Sequence, residues 1–134
     1  MLPALLSAAL LLLQLPGTLT QARAAVPFDV VVENSLLQTK PVTFSTHVEQ
    51  RGILLGALKT LSASNANFKF TYTEHPDYGP YLQSVNGVAG IDADHTYWEL
   101  LVETPDGKTI RPDVGIGCYI PSAHQRIILR FTKW

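Results

Sequence analysis

The stretch "GIDADHTYWELLVETPDGKTI", residues 90–110, contains the segment on which the fold depends. Within it, "TYWELLV", residues 96–102, has the aromatic and branched side chains typical of a β-strand. Successive strand residues point to opposite faces of a sheet, so Trp98 lies on one face and Leu101 on the other. Bulky groups on both faces indicate a central strand buried on both sides. The alternative is that one aromatic face contacts a ligand.

The segments around this strand predict the fold class. Alternating or β-branched strand patterns occupy residues 28–37, 40–49, 68–73, 81–85 and 126–134. One helix is predicted by apolar residues at i, i+3, i+4 and i+7, which are Leu54, Ala57, Leu58 and Leu61. The order of strand, strand, helix and further strands predicts an α+β fold. We expect a mostly antiparallel sheet with one packed helix, similar to a β-grasp.

The amino-terminal residues resemble a secretory signal peptide. Residues 5–15 are almost entirely Leu and Ala, and Ala22-Arg23-Ala24 has the small-x-small pattern of a cleavage site. We therefore predict a signal peptide at 1–24, a single domain at 25–134 and an extracellular, secreted protein. An uncleaved anchor is the alternative. No later segment is apolar enough to be predicted to span a membrane.

Charge and cysteine content exclude some classes of protein. Loss of Arg23 with the signal peptide leaves nine basic and eleven acidic residues, spread along the chain. Without a basic stripe to neutralise phosphates, we expect no nucleic-acid partner. Cys118 is the only cysteine, so an internal disulfide is impossible. Burial of Cys118 as a small apolar side chain is the favoured prediction, and pairing with another chain is the alternative.

No motif predicts catalysis or a bound metal. The histidines lie on different segments without metal-ligand spacing: His47, His75, His95 and His124. Cys118 has no basic neighbour in sequence, and a Gly-x-Ser-x-Gly motif is absent. The acidic group formed by Asp92, Asp94 and His95 suits a solvated loop better than a cation site. The chain is therefore predicted not to be an enzyme, with no catalytic and no metal residues.

Three stretches resemble a known family. These are "NFKFTYT" at 67–73, "YGPYLQSVNGVAGIDADHTYWELL" at 78–101 and "YIPSAHQRIILRFTKW" at 119–134. In this order they are similar to the carboxy-terminal β domain of the cobalamin carriers, the family of intrinsic factor, transcobalamin and haptocorrin. The resemblance covers essentially the whole predicted mature chain and is closest in type to transcobalamin.

The resemblance implies a ligand and a set of contacts. Carriers of this family hold cobalamin, vitamin B12, between a helical barrel and a small β-rich domain. The small domain contacts the corrin from the loop matching 78–84 and from the strand and turn matching 98–106. The candidate binding residues that this implies are Tyr78, Gly79, Tyr81, Leu82, Gln83, Trp98, Leu100 and Leu101.

The predicted arrangement of the chain adds a second hypothesis. With a signal peptide directly before the β domain, we expect no helical barrel. A partner protein would then supply the other half of the binding site, or a cell-surface receptor would be a partner. The alternative is a secreted protein-interaction module that kept the fold and lost cobalamin binding.

Overall fold

The computed structural model describes residues 24–77 and 79–134. The predicted signal peptide therefore lies outside the described residues, apart from Ala24. In chain order, the elements are β1 (Ala25–Asn34), β2 (Val42–Glu49), α1 (Leu54–Ser64), β3 (Phe70–His75), β4 (Gly79–Val85), β5 (Val88–Ala89), a short 3-10 helix (Asp92–Asp94), β6 (Thr96–Glu103), β7 (Thr109–Ile110) and β8 (Arg126–Lys133).

The strands form two sheets. A five-stranded sheet has the order β2-β1-β8-β6-β7, and a three-stranded sheet has the order β3-β4-β5. All neighbours are antiparallel except β1 and β8, the first and last strands, which pair in parallel. The predicted α+β class, mostly antiparallel with one helix, is confirmed. The sequence pattern did not show that the strands divide into two sheets.

The core lies between α1 and the two sheets. The predicted helix face is buried, and it packs with the inward residues of β8 in one apolar cluster. A smaller cluster of Val31, Leu101 and Ile128 lies on the other face of the five-stranded sheet. Because β6 contributes Val102 to the first cluster and Leu101 to the second, it is buried on both faces. The interpretation of residues 96–102 as a strand buried on both sides is confirmed.

A tight turn and a close approach of two backbones bring the strands of the site together. Asn86 and Gly87 both have positive φ, 50° and 84°, and they return the chain from β4 to β5. This places Gly90 against β6, where an added Cβ would lie 3.0 Å from the carbonyl oxygen of Thr96. Glycine suits this close approach, because a side chain here would require the β6 backbone to shift by a few tenths of an ångström. The approach holds the three-stranded sheet beside β6.

Candidate functional site

The outer edge of β6 carries unpaired backbone groups. The C=O of His95 accepts from the N–H of Trp134 at 2.9 Å, in line with β8. Since alternate residues of an antiparallel strand bond to the same neighbour, the odd-numbered residues of β6 face β8 and the even-numbered residues face away. Trp98 and Leu100 therefore direct their N–H and C=O groups to the outer edge. Within residues 24–77 and 79–134, no backbone hydrogen bond is formed to them on that side.

This edge is open because β7 is short. β7 pairs only with Val102 and Glu103, through Ile110 and Thr109. The chain then leaves the sheet, and Pro112 has no N–H with which to continue the ladder. Among the described residues, no strand therefore neighbours the outer edge of β6 at the residues that precede Val102.

A groove of about 440 Å³ lies along this open edge. One wall is β6 at residues 97–100, and the opposite wall is the start of β4 at residues 80–82. Residues 111–116, together with Cys118, form the third side, and Asp77 lies at the rim. The lining is mostly apolar, and its charged members are Asp77, Glu99, Arg111 and Asp113.

The loop that closes the groove is anchored on α1. The helix has no side-chain cap at its amino terminus, which leaves backbone N–H groups to be satisfied. The N–H of Leu54 donates to the C=O of Tyr119 at 2.8 Å, and the N–H of Leu55 donates to the C=O of Ile116 at 2.9 Å. Ile116 is itself buried in the main core. These bonds hold the loop in place opposite β6.

An ion-pair network ties the same loop to β6. The carboxylate of Glu99 is buried and pairs with the guanidinium of Arg111. The hydroxyl of Tyr97 donates to the same oxygen, Oε2, at 3.3 Å, and the other oxygen, Oε1, lies 3.8 Å from Arg130. A buried carboxylate needs such partners to offset its loss of hydration. The network accounts for the position of Arg111 at the groove.

Trp98 forms part of the groove wall but is largely buried. Only 6% of its surface is exposed. Its indole Nε1 donates to the C=O of Val88 at 2.8 Å, and its ring lies 5.2 Å from that of Phe131. The hypothesis that Trp98 offers a free aromatic surface therefore needs correction. The ring is a core group with one edge at the groove, because its N–H requires the partner on β5.

The structure brings together half of the predicted binding residues. Tyr81, Leu82, Trp98 and Leu100 line the groove. Tyr78 lies outside the described residues.

The remaining candidates lie elsewhere. Gly79 begins β4 with a φ of 72° and does not line the groove. Gln83 uses its Nε2 to donate to the C=O of Gly90 at 2.9 Å, so it supports the approach of β5 to β6. Leu101 packs with Val31 and Ile128 on the opposite face of the sheet. These three residues stabilise the surroundings of the groove and are not part of its walls.

Sequence reasoning missed the loop at 111–118. Its Pro, Gly and Asp content indicated an irregular segment without saying what it contacts. The available signal was the glycine pair around Ile116. A Cβ on Gly117 would lie 2.7 Å from the ring of Pro80, which shows how closely the loop approaches β4.

The prediction that Cys118 is buried was wrong. Cys118 is a free and exposed cysteine beside the groove. The buried position in this loop is taken instead by Ile116, because the loop enters the core only there. Cys118 thereby supplies a chemical reporter for occupancy of the groove.

The acidic group near the groove forms a turn. Asp92 and Asp94 belong to the 3-10 helix, and His95 follows with a positive φ of 58°. All three side chains are exposed. In the part of the chain that the structure describes, no three His, Cys, Asp or Glu side chains converge in a way that could hold a metal ion.

Tyrosine ionisation gives a prediction about alkaline pH. Burial raises the pKa of Tyr81 above its ordinary value of 10.0, and the charge of Asp92 raises it further. The pKa of Tyr97 is raised by burial and then by Glu99, which outweigh the lowering effect of Arg111. The folded state thus retains phenol protons that the unfolded state loses. The stabilisation is complete below pH 10.0 and is lost as the pH rises through the folded-state pKa.

We therefore expect the free energy of unfolding, measured in urea, to fall as the pH rises above about 10. The variant Tyr81→Phe should show a shallower fall, because it lacks the phenol whose pKa is raised. Ultraviolet titration of the folded protein should find Tyr81 ionising above its ordinary pKa. An ionisation of Tyr81 at or below that value would contradict the prediction.

Comparison with known proteins adds sequence and structural relatives. No protein-family model matches the chain. Mouse cobalamin binding intrinsic factor is 31% identical over 131 residues, which cover 90% of this chain and 30% of the relative. The corresponding protein of the dog is 32% identical over 92 residues, covering 69% of this chain and 21% of the relative. The chain thus spans about a third or less of the length of the curated relatives it matches.

Solved structures agree on the fold. Haptocorrin in complex with Cbi superimposes with a TM-score of 0.70 at 20% identity, over 83% of this chain and 26% of haptocorrin. Because the mouse relative is 31% identical over 90% of this chain, the predicted resemblance is confirmed, and the chain belongs to the cobalamin-carrier family. A Ruminococcus gnavus protein has a TM-score of 0.56 at 15% identity, over 81% of this chain and 98% of its own. These two likenesses show the fold and leave the role of the groove beside β6 to be proposed.

Across 24–77 and 79–134, no helix combines the length and the apolar character needed to cross a bilayer.

Proposed function

We propose that this chain is a secreted cobalamin-binding protein and that the groove beside β6 contacts the corrin. The observation that carries the proposal is the open edge of β6, with an apolar wall on one side and unpaired backbone groups along it. Relatives named for cobalamin binding align with 90% of the chain. Secretion would follow cleavage after Ala24.

The chemistry of the groove suits the periphery of a corrin. Cobalamin has an apolar macrocycle that is bordered by amide side chains. Tyr81, Leu82 and Leu100 provide apolar contact area at the groove. The N–H and C=O groups of Trp98 and Leu100 are free to bond with amides. Apolar walls with a few placed polar groups are typical of small-molecule sites.

The expected affinity of this domain alone is modest. A two-domain site of about picomolar affinity corresponds to roughly −16 kcal/mol, and half of that energy corresponds to about micromolar binding. The binding energy does not divide evenly between two halves of a site. The ligand loses its translational and rotational entropy a single time, whether it binds one half or both. A partner protein that covers the other face of the corrin would raise the affinity.

The proposal is tested by titrating the purified domain with cyanocobalamin. We expect saturable tryptophan quenching with a dissociation constant of about micromolar. Bound ligand should slow the labelling of Cys118 by a thiol reagent, because this side chain lies beside the groove. Tyr81→Ala should weaken binding about tenfold, the equivalent of about 1.4 kcal/mol.

The matched control is Tyr72→Ala. Tyr72 is also half-buried, but it lies on β3 beside Lys59 and is not among the residues that line the groove. Cobalamin affinity should be unchanged in this variant. If high-micromolar cyanocobalamin neither quenches tryptophan nor protects Cys118, the corrin proposal fails. The alternative of a protein-interaction module that lost cobalamin binding would then be favoured.

A further inference from the structure

We propose that the groove also accepts a strand of a partner polypeptide, which adds to the outer edge of β6 and places a basic side chain against Asp77 and Asp113. This inference does not rest on corrin binding, because its argument concerns the backbone of β6 and the charges at the rim. It names a binding mode and a partner chemistry: an extended, basic peptide segment.

The backbone groups of β6 supply the first part of the argument. Trp98 and Leu100 are two residues apart, so their outward N–H and C=O groups repeat at the spacing of one side of a strand. An extended peptide presents the complementary row at the same repeat and can bond to all of them. The peptide would pair with β6 next to the end of β7, where the pairing of β7 with β6 stops at Ile110.

The lack of edge protection supplies the second part. Natural sheets protect an exposed edge with lysine, proline or a bulge, since an open edge recruits other chains. β6 contains no lysine and no proline, and its pairing with β8 runs without a register shift. An unprotected edge beside a groove fits a surface that is used for pairing.

The charges at the groove determine the partner's chemistry. Three carboxylates line it, those of Asp77, Glu99 and Asp113, against the single guanidinium of Arg111. Arg111 is already paired with Glu99. No salt bridge to Asp77 or Asp113 is formed among the described residues. An incoming lysine or arginine would find both carboxylates available, whereas an acidic segment would be repelled.

The test is selection of linear heptapeptides from a displayed random library on the immobilised domain. We expect the selected peptides to alternate β-branched residues with Lys or Arg. A synthetic copy should protect the Leu100 amide from hydrogen exchange and should slow labelling of Cys118. The same peptide with N-methyl groups on alternate backbone nitrogens should bind at least tenfold more weakly, because it cannot complete the ladder.

Charge variants separate the two parts of the proposal. The double variant Asp77→Asn, Asp113→Asn should weaken the synthetic peptide about tenfold, which corresponds to about 1.4 kcal/mol. Asp106→Asn is the control, because Asp106 is exposed on the β6–β7 turn and pairs with Lys108 away from the groove. Unchanged affinity in the double variant would overturn the basic-residue assignment.

Strand addition is overturned if no library peptide protects the Leu100 amide, or if the N-methylated peptide binds equally well. Cyanocobalamin provides an independent arm. If both ligands bind, each should displace the other, because both would occupy the groove beside β6. Peptide binding without cobalamin binding would support this inference and contradict the corrin proposal. Cobalamin binding without peptide binding would support the corrin proposal and contradict this inference.

Discussion

Replacing Trp98 with alanine should lower the free energy of unfolding by about 3–5 kcal/mol, the usual cost of removing a large buried aromatic group. The indole is 6% exposed and packs 5.2 Å from the ring of Phe131. Its removal would leave a cavity between β6 and β8 and an unpaired C=O on Val88, which the indole N–H now satisfies. Urea unfolding followed by circular dichroism measures the change.

Trp98→Phe separates packing from hydrogen bonding. The phenyl ring retains most of the apolar contact and loses only the bond to Val88, so we expect a smaller loss of about 1–2 kcal/mol. A loss below 1 kcal/mol for Trp98→Ala would show that the ring is not a core group. The large expected cost also means that reduced cobalamin binding by Trp98→Ala cannot be assigned to a lost contact. Tyr81 is the cleaner position for that purpose, because it is only half-buried.

The second large effect is expected from Phe68→Ala, again a loss of about 3–5 kcal/mol in the free energy of unfolding. Phe68 is fully buried and precedes β3. Its ring lies 5.3 Å from that of Phe44 on β2 and 5.8 Å from that of Phe70. It therefore joins the two sheets, and a smaller side chain would leave a cavity between them. A domain of this size has a total stability of about 5–15 kcal/mol, so this loss is a large share of it.

Phe70→Ala is the matched control for Phe68→Ala. Phe70 is also aromatic and lies two residues along the chain, but it is only half-buried. We expect its loss to be clearly smaller, about 1–2 kcal/mol, because less apolar surface is removed from the core. Equal losses at the two positions would contradict the assignment of Phe68 as the contact that joins the sheets. Thermal unfolding in parallel with urea unfolding would check both values.

The strands and the helix could be predicted because their signals are local. The alternation in residues 126–134 placed Ile127, Leu129 and Phe131 inward, and all three are buried in the main core. The spacing of Leu54, Leu58 and Leu61 predicted the helix face that α1 buries. Strand β3 runs from Phe70 to His75, two residues later than its pattern suggested. Strand ends depend on pairing with distant residues, which a local pattern does not contain.

The candidate site was predicted less completely. The resemblance to the cobalamin carriers implied Tyr81, Leu82 and Leu100, which line the groove. It also included Leu101, although strand alternation alone places adjacent residues 100 and 101 on opposite faces. The structure agrees with the alternation, because Leu101 packs in the cluster on the other face of the sheet.

The sequence by itself determined the period of each segment, and therefore which side chains of a strand or helix share a face. It also determined that no internal disulfide can form, since Cys118 has no partner cysteine. The tertiary structure alone decided which strand edge stays open, that Cys118 is exposed and that Trp98 is held in the core. These features depend on contacts between segments far apart in the chain, such as Gly117 with Pro80 and Arg111 with Glu99. No local period encodes such contacts, because they form only when the whole chain packs.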